Sequence, residues 1–306
     1  MSSVAVHYLS ASAADAGRLA ARLAIPAHEI SVHIFPDGEL RVSAWPAPVI
    51  SILYASLDRP NDKLLTLLFA AESLRRNGSS RLVLVAPYLC YMRQDTAFHP
   101  GEAVSQKVIG QLISSRFDRV ITVDAHLHRT ARLSDVCPGI ETDNLSAMPA
   151  IADHLRSSAF DPRTVLVGPD TESCPWVSEL GALLDIECTV ARKTRLGDRS
   201  VEIALDDQQA LKGRPALLVD DIVSSGGTMA SCARVVIAAG AISVDAIITH
   251  ALFPKQLMAD FTKSGIRTVR STTSVPHFTN AIALDQLLSD ALRPELVAAR
   301  SKEKSS

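Results

Sequence analysis

Short apolar runs alternate with helical patterns along most of the 306-residue chain. The clearest runs lead into polar or charged residues: RLVLVAPY, DRVITVDAH, TVLVGPD and PALLVDD. Between them lie stretches such as NDKLLTLLFAAESLRRNG, in which apolar residues recur at helical spacing. An alternation of buried strands with helices is typical of α/β proteins built on parallel sheets. The sequence therefore predicts an α/β fold.

The length of the chain and the repetition of this pattern predict two domains. A chain of 306 residues is too long for one ordinary core. The second half repeats the order of the first, and each half carries a strand that ends near a histidine, in DRVITVDAH and SVDAIITHALF. We expect two similar domains, residues 1–143 and 144–306, without a low-complexity linker between them.

Composition argues against several classes of partner. The net charge of -2 does not favour binding to a nucleic acid or an acidic membrane surface, because the proteins that bind these partners are usually basic. The five cysteines are scattered and contain no CxxC pair, which argues against a zinc cluster or a disulfide framework. Reduced thiols and the absence of a long apolar window or a signal-like N-terminus predict a cytoplasmic protein with no membrane partner.

Charged and polar residues collect where the predicted strands end. They are Arg93, Gln94, Asp95, Asp124, His126, Asp170, Lys193, Asp220 and Asp221. Ligands of open parallel sheets bind beyond the carboxyl ends of the strands. This clustering predicts an active site at those ends.

The stretch LLVDDIVSSGGTM has the features of a phosphate site. A buried strand runs into two acids, and a Ser/Gly/Gly/Thr loop then leads into a helix. Backbone N–H groups of the loop and the helix N-terminus can hold an anion, and the hydroxyls add donors. The acids would repel a phosphate, so we expect them to face ribose hydroxyls or Mg²⁺. A capped strand-to-helix turn without a ligand is the alternative. No GxxxxGK[ST] or GxGxxG motif is present.

This stretch resembles the PRPP-binding loop of type I phosphoribosyltransferases and of the ribose-phosphate diphosphokinases (PRPP synthases). The whole chain is similar to the second group, through FPDGE, PNDKLLTLLFAAESLRRNG, APYLCYMRQD, VDAHLHR, DNLSAMP, VGPD, ARKTR, VDDIVSSGGT and STTSVPH, in that order. The resemblance implies two similar type I phosphoribosyltransferase-like domains, each a mainly parallel sheet flanked by helices. It also implies Mg²⁺-dependent transfer of diphosphate from ATP to the anomeric hydroxyl of ribose 5-phosphate, giving PRPP and AMP.

The resemblance assigns a role to each motif. Ribose 5-phosphate would be bound by Asp220, Asp221, Ser224, Ser225, Gly226, Gly227 and Thr228. ATP would be bound by Phe35, Asp37 and Glu39, across a subunit interface, and by Arg93, Gln94, Asp95 and His99. Mg²⁺ would be held by His126 and Asp170, while Lys193 and Arg195 match the mobile catalytic loop. A homodimer or homohexamer is expected, since the nucleotide site would need two subunits.

Each motif also has a structural interpretation. FPDGE is a strong turn signal, RQD can be a solvated charge cluster, and a lone His126 is commonly a core histidine. Asp170 can start a turn, and Lys193 and Arg195 can be surface charges.

The chain also departs from the family pattern. Ser224 stands where the family usually has an acid, and His128 and Arg129 have no assigned role. The segment PGEAVS is closer to archaeal-type members. Two alternatives therefore stay open: an enzyme that acts on a related pentose phosphate or in a PRPP-dependent transfer, and a non-catalytic regulatory paralogue of PRPP synthase.

Overall fold

The computed structural model of the protein describes residues 2–195 and 201–303. These residues form two compact units. The first contains residues 2–145, 274–276 and 284–303, and the second contains the described residues from 146 to 273 together with 277–283. Each unit has its own apolar core.

The elements follow one another in the predicted alternation. The strands are β1 (Val4–Tyr8), β2 (Ala27–Glu29), β3 (Ser31–Ile34), β4 (Leu40–Ser43), β5 (Ile50–Tyr54), β6 (Arg81–Ala86), β7 (Arg119–Val123), β8 (Glu141–Leu145), β9 (Val165–Gly168), β10 (Cys188–Arg195), β11 (Val201–Leu205), β12 (Pro215–Val223), β13 (Ser243–Ala251), β14 (Ile266–Thr272) and β15 (Asn280–Ile282). The helices are α1 (Ala13–Leu23), α2 (Pro60–Arg76), α3 (Ser105–Ser114), α4 (Leu133–Val136), α5 (Met148–Ser157), α6 (Cys174–Leu184), α7 (Gly227–Ala238), α8 (Leu257–Lys263) and α9 (Asp285–Glu303). Within the described ranges, no helix is long and apolar enough to cross a membrane.

Each unit is organised around a mainly parallel sheet. The first sheet has the strand order β2-β1-β5-β6-β7-β8, and all of its pairs are parallel. The second has the order β11-β10-β9-β12-β13-β14-β15, and only the pair β10–β11 is antiparallel. Every residue of β5 and of β7 is buried, as expected for strands that are covered on both faces. The predicted fold class is confirmed.

The strand that carries the two acids is longer than the sequence suggested. We expected it to end at Asp220-Asp221, but β12 continues to Val223, and Ile222 pairs with His250 of β13. The apolar residues beyond the acids explain the extension, because they continue the ladder. The next helix begins at Gly227, so Gly227 and Thr228, which we expected in the Ser/Gly/Gly/Thr loop, belong to the helix. The loop between strand and helix is therefore short.

The last helix belongs with the first unit. Helix α9 packs against α1 and β1, whereas the predicted second domain ran from residue 144 to 306. The predicted boundary between the two domains, near Asp143-Asn144, lies close to the observed boundary, which follows Leu145.

A buried charge network holds α9 against the sheet of the first unit. The Glu295 side chain is 2% exposed and lies on α9. It accepts hydrogen bonds from Arg81 at distances of 2.6 and 2.8 Å and from Arg119 at 2.9 Å. Arg81 also donates to Glu141, and Arg119 also donates to Asp143. Hydrogen bonds to Glu295, and secondly to Glu141, raise the pKa of Arg81. Arg81, Arg119 and Glu141 are the first residues of β6, β7 and β8, and Asp143 lies further along β8, so the network joins the helix to three strands.

His7 is a buried titratable residue in the same unit. It lies on β1, is fully buried, and neither of its ring nitrogens has a hydrogen-bond partner. Burial, and secondly the neighbouring His28, lowers the pKa of His7 to about 4. The imidazole is therefore neutral at pH 7.

Candidate active site

The loop between β12 and α7 has the geometry of an anion cradle. Gly226 lies at φ 71°, and a Cβ added there would come within 2.8 Å of the Phe261 ring, so only glycine fits. The loop leads into the N-terminus of the 12-residue helix α7, whose first N–H groups have no partner within the helix. Ser224 and Ser225 are exposed. Backbone N–H groups and exposed hydroxyls that lie at one helix N-terminus favour a phosphate.

Two carboxylates precede this loop on β12. Asp221 is buried and accepts a hydrogen bond from the Ile222 N–H at 2.7 Å, and Asp220 accepts one from the Asp221 N–H at 3.1 Å. Burial raises the pKa of Asp220 well above its usual value, and the neighbouring Asp221 and Asp170 raise it further. Three carboxylates thus act on one another at the carboxyl edge of the second sheet. Hydroxyl donors or a divalent cation would relieve this repulsion, and oxygen ligands are those that Mg²⁺ prefers.

Asp170 follows β9 at the same edge and has a defined orientation. Its carboxylate accepts a hydrogen bond from the Glu172 N–H at 3.1 Å, and the Ser173 hydroxyl donates to its carbonyl oxygen at 2.6 Å. This capping arrangement is the turn that was considered as the alternative interpretation of Asp170. A carboxylate can accept several hydrogen bonds at once, so the turn and a ligand role are compatible.

The predicted catalytic residues Lys193 and Arg195 lie on β10. In the ladder with β11 they stand opposite Ile203 and Val201. Their side chains fall outside the described part of the chain, as do residues 196–200. Their catalytic role therefore stays a prediction.

The FPDGE segment forms the turn of an exposed antiparallel hairpin, β3–β4. The Phe35 N–H donates to the Glu39 carbonyl oxygen at 2.8 Å, and Asp37 accepts a hydrogen bond from the Glu39 N–H at 3.1 Å. Gly38 has φ 91°, as the turn signal predicted. The hairpin and the segment after it expose large apolar side chains: Val32, Ile34, Phe35 and Trp45. These side chains are available for contact with another molecule.

The RQD segment lies in the loop after β6, at the carboxyl edge of the first sheet. Arg93 is exposed, and Gln94 accepts a hydrogen bond from the Ser105 hydroxyl at 2.9 Å. Asp95 is bound by Arg129, a residue to which the sequence gave no role. The only sequence signal for Arg129 was its departure from the family pattern in VDAHLHR.

His99 is held in the same loop by a carboxylate. Its Nδ1 lies 2.7 Å from Glu102, and this hydrogen bond is the main cause that lowers the pKa of Glu102. Sequence reasoning also missed Glu102, because nothing in PGE distinguishes a structural acid from a solvated one. His126 follows β7, and its ring is nearly perpendicular to that of His128, with ring centroids 3.7 Å apart. His126 is half-buried and His128 exposed, so neither is enclosed in the apolar core.

A parallel sheet in which a strand with paired acids leads through a Ser/Gly loop into a helix defines a phosphoribosyltransferase-type domain. Comparison with known proteins agrees. Residues 4–116 match the family described as the N-terminal domain of ribose phosphate pyrophosphokinase, and residues 142–286 match the phosphoribosyl transferase domain.

Known relatives extend the match over most of the chain. The ribose-phosphate pyrophosphokinase of Methanobrevibacter smithii is 31% identical over 272 residues, which cover 85% of this chain and 90% of the relative. That of Rhizobium meliloti is 30% identical and covers 92% of each chain. The crystal structure of phosphoribosylpyrophosphate synthetase from Mycobacterium smegmatis has the same fold, with a TM-score of 0.83 at 21% identity, covering 96% of this chain and 99% of that one. The chain belongs to the ribose-phosphate pyrophosphokinase family and is a diphosphotransferase.

Proposed function

We propose that this enzyme transfers the diphosphate group of ATP to the anomeric hydroxyl of ribose 5-phosphate, giving PRPP and AMP, with Mg²⁺ as cofactor. The loop between β12 and α7, with the two acids before it, is the observation that carries the proposal. It combines an anion cradle with carboxylates that can accept hydrogen bonds from ribose hydroxyls. A sugar phosphate provides a phosphate for the cradle and hydroxyl groups for the carboxylates.

The residues of the second unit bind and orient the sugar phosphate. The N–H groups at the start of α7 and the hydroxyls of Ser225 and Thr228 hold the 5-phosphate. Asp220 and Asp221 accept hydrogen bonds from ribose hydroxyls and so fix the ring. The anomeric oxygen then forms a bond to the β-phosphorus of ATP as the bond to the leaving AMP oxygen breaks and the hydroxyl proton departs.

Cationic groups neutralise the phosphates during this transfer. Bound Mg²⁺ would reduce the negative charge on the phosphate oxygens, and His126 and Asp170 are the residues proposed to hold it. The chemistry of Asp170 fits, because its carboxylate lies close enough to Asp220 to raise the pKa of that acid. Lys193 and Arg195 are proposed to stabilise the transition state.

The nucleotide is proposed to contact the two motifs of the first unit. These are the FPDGE hairpin, through Phe35, Asp37 and Glu39, and the loop after β6, through Arg93, Gln94, Asp95 and His99. Exposed side chains and oriented carboxylates in both segments support this assignment. The hairpin is proposed to reach the nucleotide of a neighbouring subunit.

Release of AMP from ATP and ribose 5-phosphate, with and without Mg²⁺, tests the proposal. We expect turnover only with the metal, a loss of at least about 100-fold in kcat in Lys193→Ala, and a raised KM for ribose 5-phosphate in Asp221→Asn. Asp153→Asn is the matched control, since Asp153 is an exposed acid of the same unit. Absence of turnover with Mg²⁺ present would refute the proposal. Preferred use of another pentose phosphate would instead support the alternative raised by Ser224.

A homodimer or homohexamer is proposed from the exposed apolar hairpin. Large exposed apolar side chains that lie together commonly mark an interface between proteins. At the turn of the hairpin, the neighbouring residues Ile34 and Phe35 are 67% and 38% exposed. Sedimentation velocity should show an oligomer that Ile34→Asp weakens, and a monomer at assay concentrations would contradict this proposal. The cytoplasmic location and the lack of nucleic-acid and membrane partners stay predictions from composition.

A further inference from the structure

Arg129 connects two loops at the carboxyl edge of the first sheet. It follows β7, and its backbone N–H donates to Asp95 Oδ2 at 3.1 Å while its guanidinium Nη1 donates to Oδ1 at 3.0 Å. Asp95 lies in the loop after β6, and its side chain is only 3% exposed, against 60% for Arg129. One residue therefore holds both oxygens of a carboxylate that is hidden from solvent.

Arg129 also contacts an aromatic side chain of the same loop. Its Cζ lies 5.5 Å from the centroid of the Phe98 ring, within the range of a cation–π interaction. Phe98 is nevertheless 56% exposed. The guanidinium thus steadies a large apolar ring that remains open to solvent, which is the condition in which a planar base can stack on it.

The far side of this loop is held by a different residue. Glu102 accepts hydrogen bonds from the N–H groups of Phe98 and His99, and its other oxygen lies 2.7 Å from the His99 ring. Arg129 and Glu102 therefore fix the segment from Asp95 to His99 from its two ends.

A second connection between the loops does not involve Arg129. The Thr130 hydroxyl donates to the Gln106 side chain at 2.8 Å, and Gln106 in turn donates to the carbonyl oxygens of Met92 and Gln94. Gln106 is buried. Loss of the Arg129 guanidinium would leave these contacts and the hydrogen bond from the Arg129 N–H to Asp95 in place. We therefore expect it to loosen Asp95 and Phe98 without unfolding the loop.

We propose that Arg129 is a positioning residue for nucleotide binding: its guanidinium orients Asp95 and Phe98 so that this loop receives the base and ribose of the nucleotide. This inference rests on the proposed function, which places ATP at the loop after β6. Arg129 acts through its neighbours Asp95 and Phe98, and the sugar-phosphate loop belongs to the other unit. The expected signature is therefore a defect that is confined to the nucleotide.

Arg129→Met tests the inference, because it keeps a long apolar stem and removes the charge. We expect the KM for ATP to rise about 10-fold, with kcat within about 3-fold and the KM for ribose 5-phosphate unchanged, and Arg129→Lys should restore part of the affinity. Arg132→Met is the matched control, since Arg132 is a 76% exposed arginine of the same segment. A general loss of stability would shift both KM values and the melting temperature together.

Two measurements that need no turnover separate this inference from the proposed function. Hydrogen exchange of the amides from 95 to 99 in the ligand-free protein should be faster in Arg129→Met than in the wild type and in Arg132→Met. Calorimetric titration with ATP should show the same 10-fold loss of affinity. If the wild type releases no AMP but these two results hold, the proposed reaction fails and the role of Arg129 stands. Unchanged exchange and unchanged ATP affinity in Arg129→Met would overturn the inference, as would a wild-type chain that binds no nucleotide.

Discussion

Replacement of Glu295 by glutamine should loosen the last helix from the first unit. Glu295→Gln keeps nearly the same shape, so it removes the charge without creating a cavity. The carboxylate is 2% exposed and accepts three hydrogen bonds, two from Arg81 and one from Arg119. Both guanidiniums remain charged at any accessible pH, because arginine cannot be deprotonated in proteins. The variant therefore leaves two partly buried guanidinium cations with less negative charge beside them.

The expected loss of stability is about 3 kcal/mol. Removal of one partner of a buried ion pair usually costs roughly 3–5 kcal/mol. The lower end applies here, since Arg81 keeps Glu141 at 2.8 and 2.9 Å and Arg119 keeps Asp143 at 2.8 Å. Three charge-assisted hydrogen bonds would suggest a larger figure, but part of their energy offsets the cost of removing the carboxylate from water.

Urea unfolding followed by circular dichroism measures this loss, and hydrogen exchange in α9 shows where it acts. Glu72→Gln is the matched control, because Glu72 forms an exposed pair with Arg76 on α2. Such a surface pair is worth about 0.3–0.5 kcal/mol. If Glu295→Gln cost no more than Glu72→Gln, the interpretation of this network as the attachment of α9 would be refuted. Faster exchange in α9 with an unchanged second unit is the result that supports it.

Three further predictions concern single positions. The pKa of His7 is about 4 in the folded chain and near 6.5 in the unfolded one, so the free energy of unfolding should fall by about 3 kcal/mol as the pH drops from 7 to 4. Urea unfolding at several pH values should show that His7→Leu lacks this part of the pH dependence. The same pH dependence in the wild type and in His7→Leu would contradict the assignment. Gly226→Ala should cost at least about 1 kcal/mol and weaken ribose 5-phosphate binding, because Gly226 has a positive φ and lies close to the Phe261 ring. Gly227→Ala should be nearly neutral in the same thermal melts, because the space at its Cβ is open; equal losses of stability in the two variants would contradict this explanation. Arg270→Met should be neutral or stabilising in thermal melts, since Arg270 Nε is buried without a partner; a clear loss of stability would show that the charge is compensated.

The sequence predicted the fold class because both sheets consist of apolar strands that alternate with helices. The pattern is local, so it can be read without knowing which strands pair. The attachment of α9 could not be predicted in this way. It depends on the pairing of Arg81 with Glu295, which are 214 positions apart, and neither residue carries a local sign of its partner. The extension of β12 to Val223 was also missed, since adjacent acids usually end a strand.

For the candidate site, the sequence identified the segments better than their internal contacts. Gly226 could be recognised, because a Ser/Gly/Gly turn before a helix requires a residue with positive φ. The Pro-Asp-Gly turn of the hairpin was recognisable for the same reason. Arg129 could not be assigned, since its partner Asp95 lies on a different loop and the two approach only when β6 and β7 pair. Motifs thus indicated the groups that we propose to contact ligands, whereas the contacts that orient these groups could be found only in the structure.

The position of α9 has a consequence for synthesis of the chain on the ribosome. The first unit contains residues 2–145, the short segment 274–276 and, after the whole second unit, residues 284–303. Roughly 140 residues, from 146 to 283, separate the first of these parts from the last, and at ~5–20 residues per second their translation takes roughly 7–28 s. During that interval α9 has not yet been synthesised. Its contacts with α1 and β1, and the ion pairs of Glu295 with Arg81 and Arg119, therefore cannot form. The unit that begins first therefore finishes last, and the nascent chain passes through a stage in which its second unit can fold while the first stays incomplete.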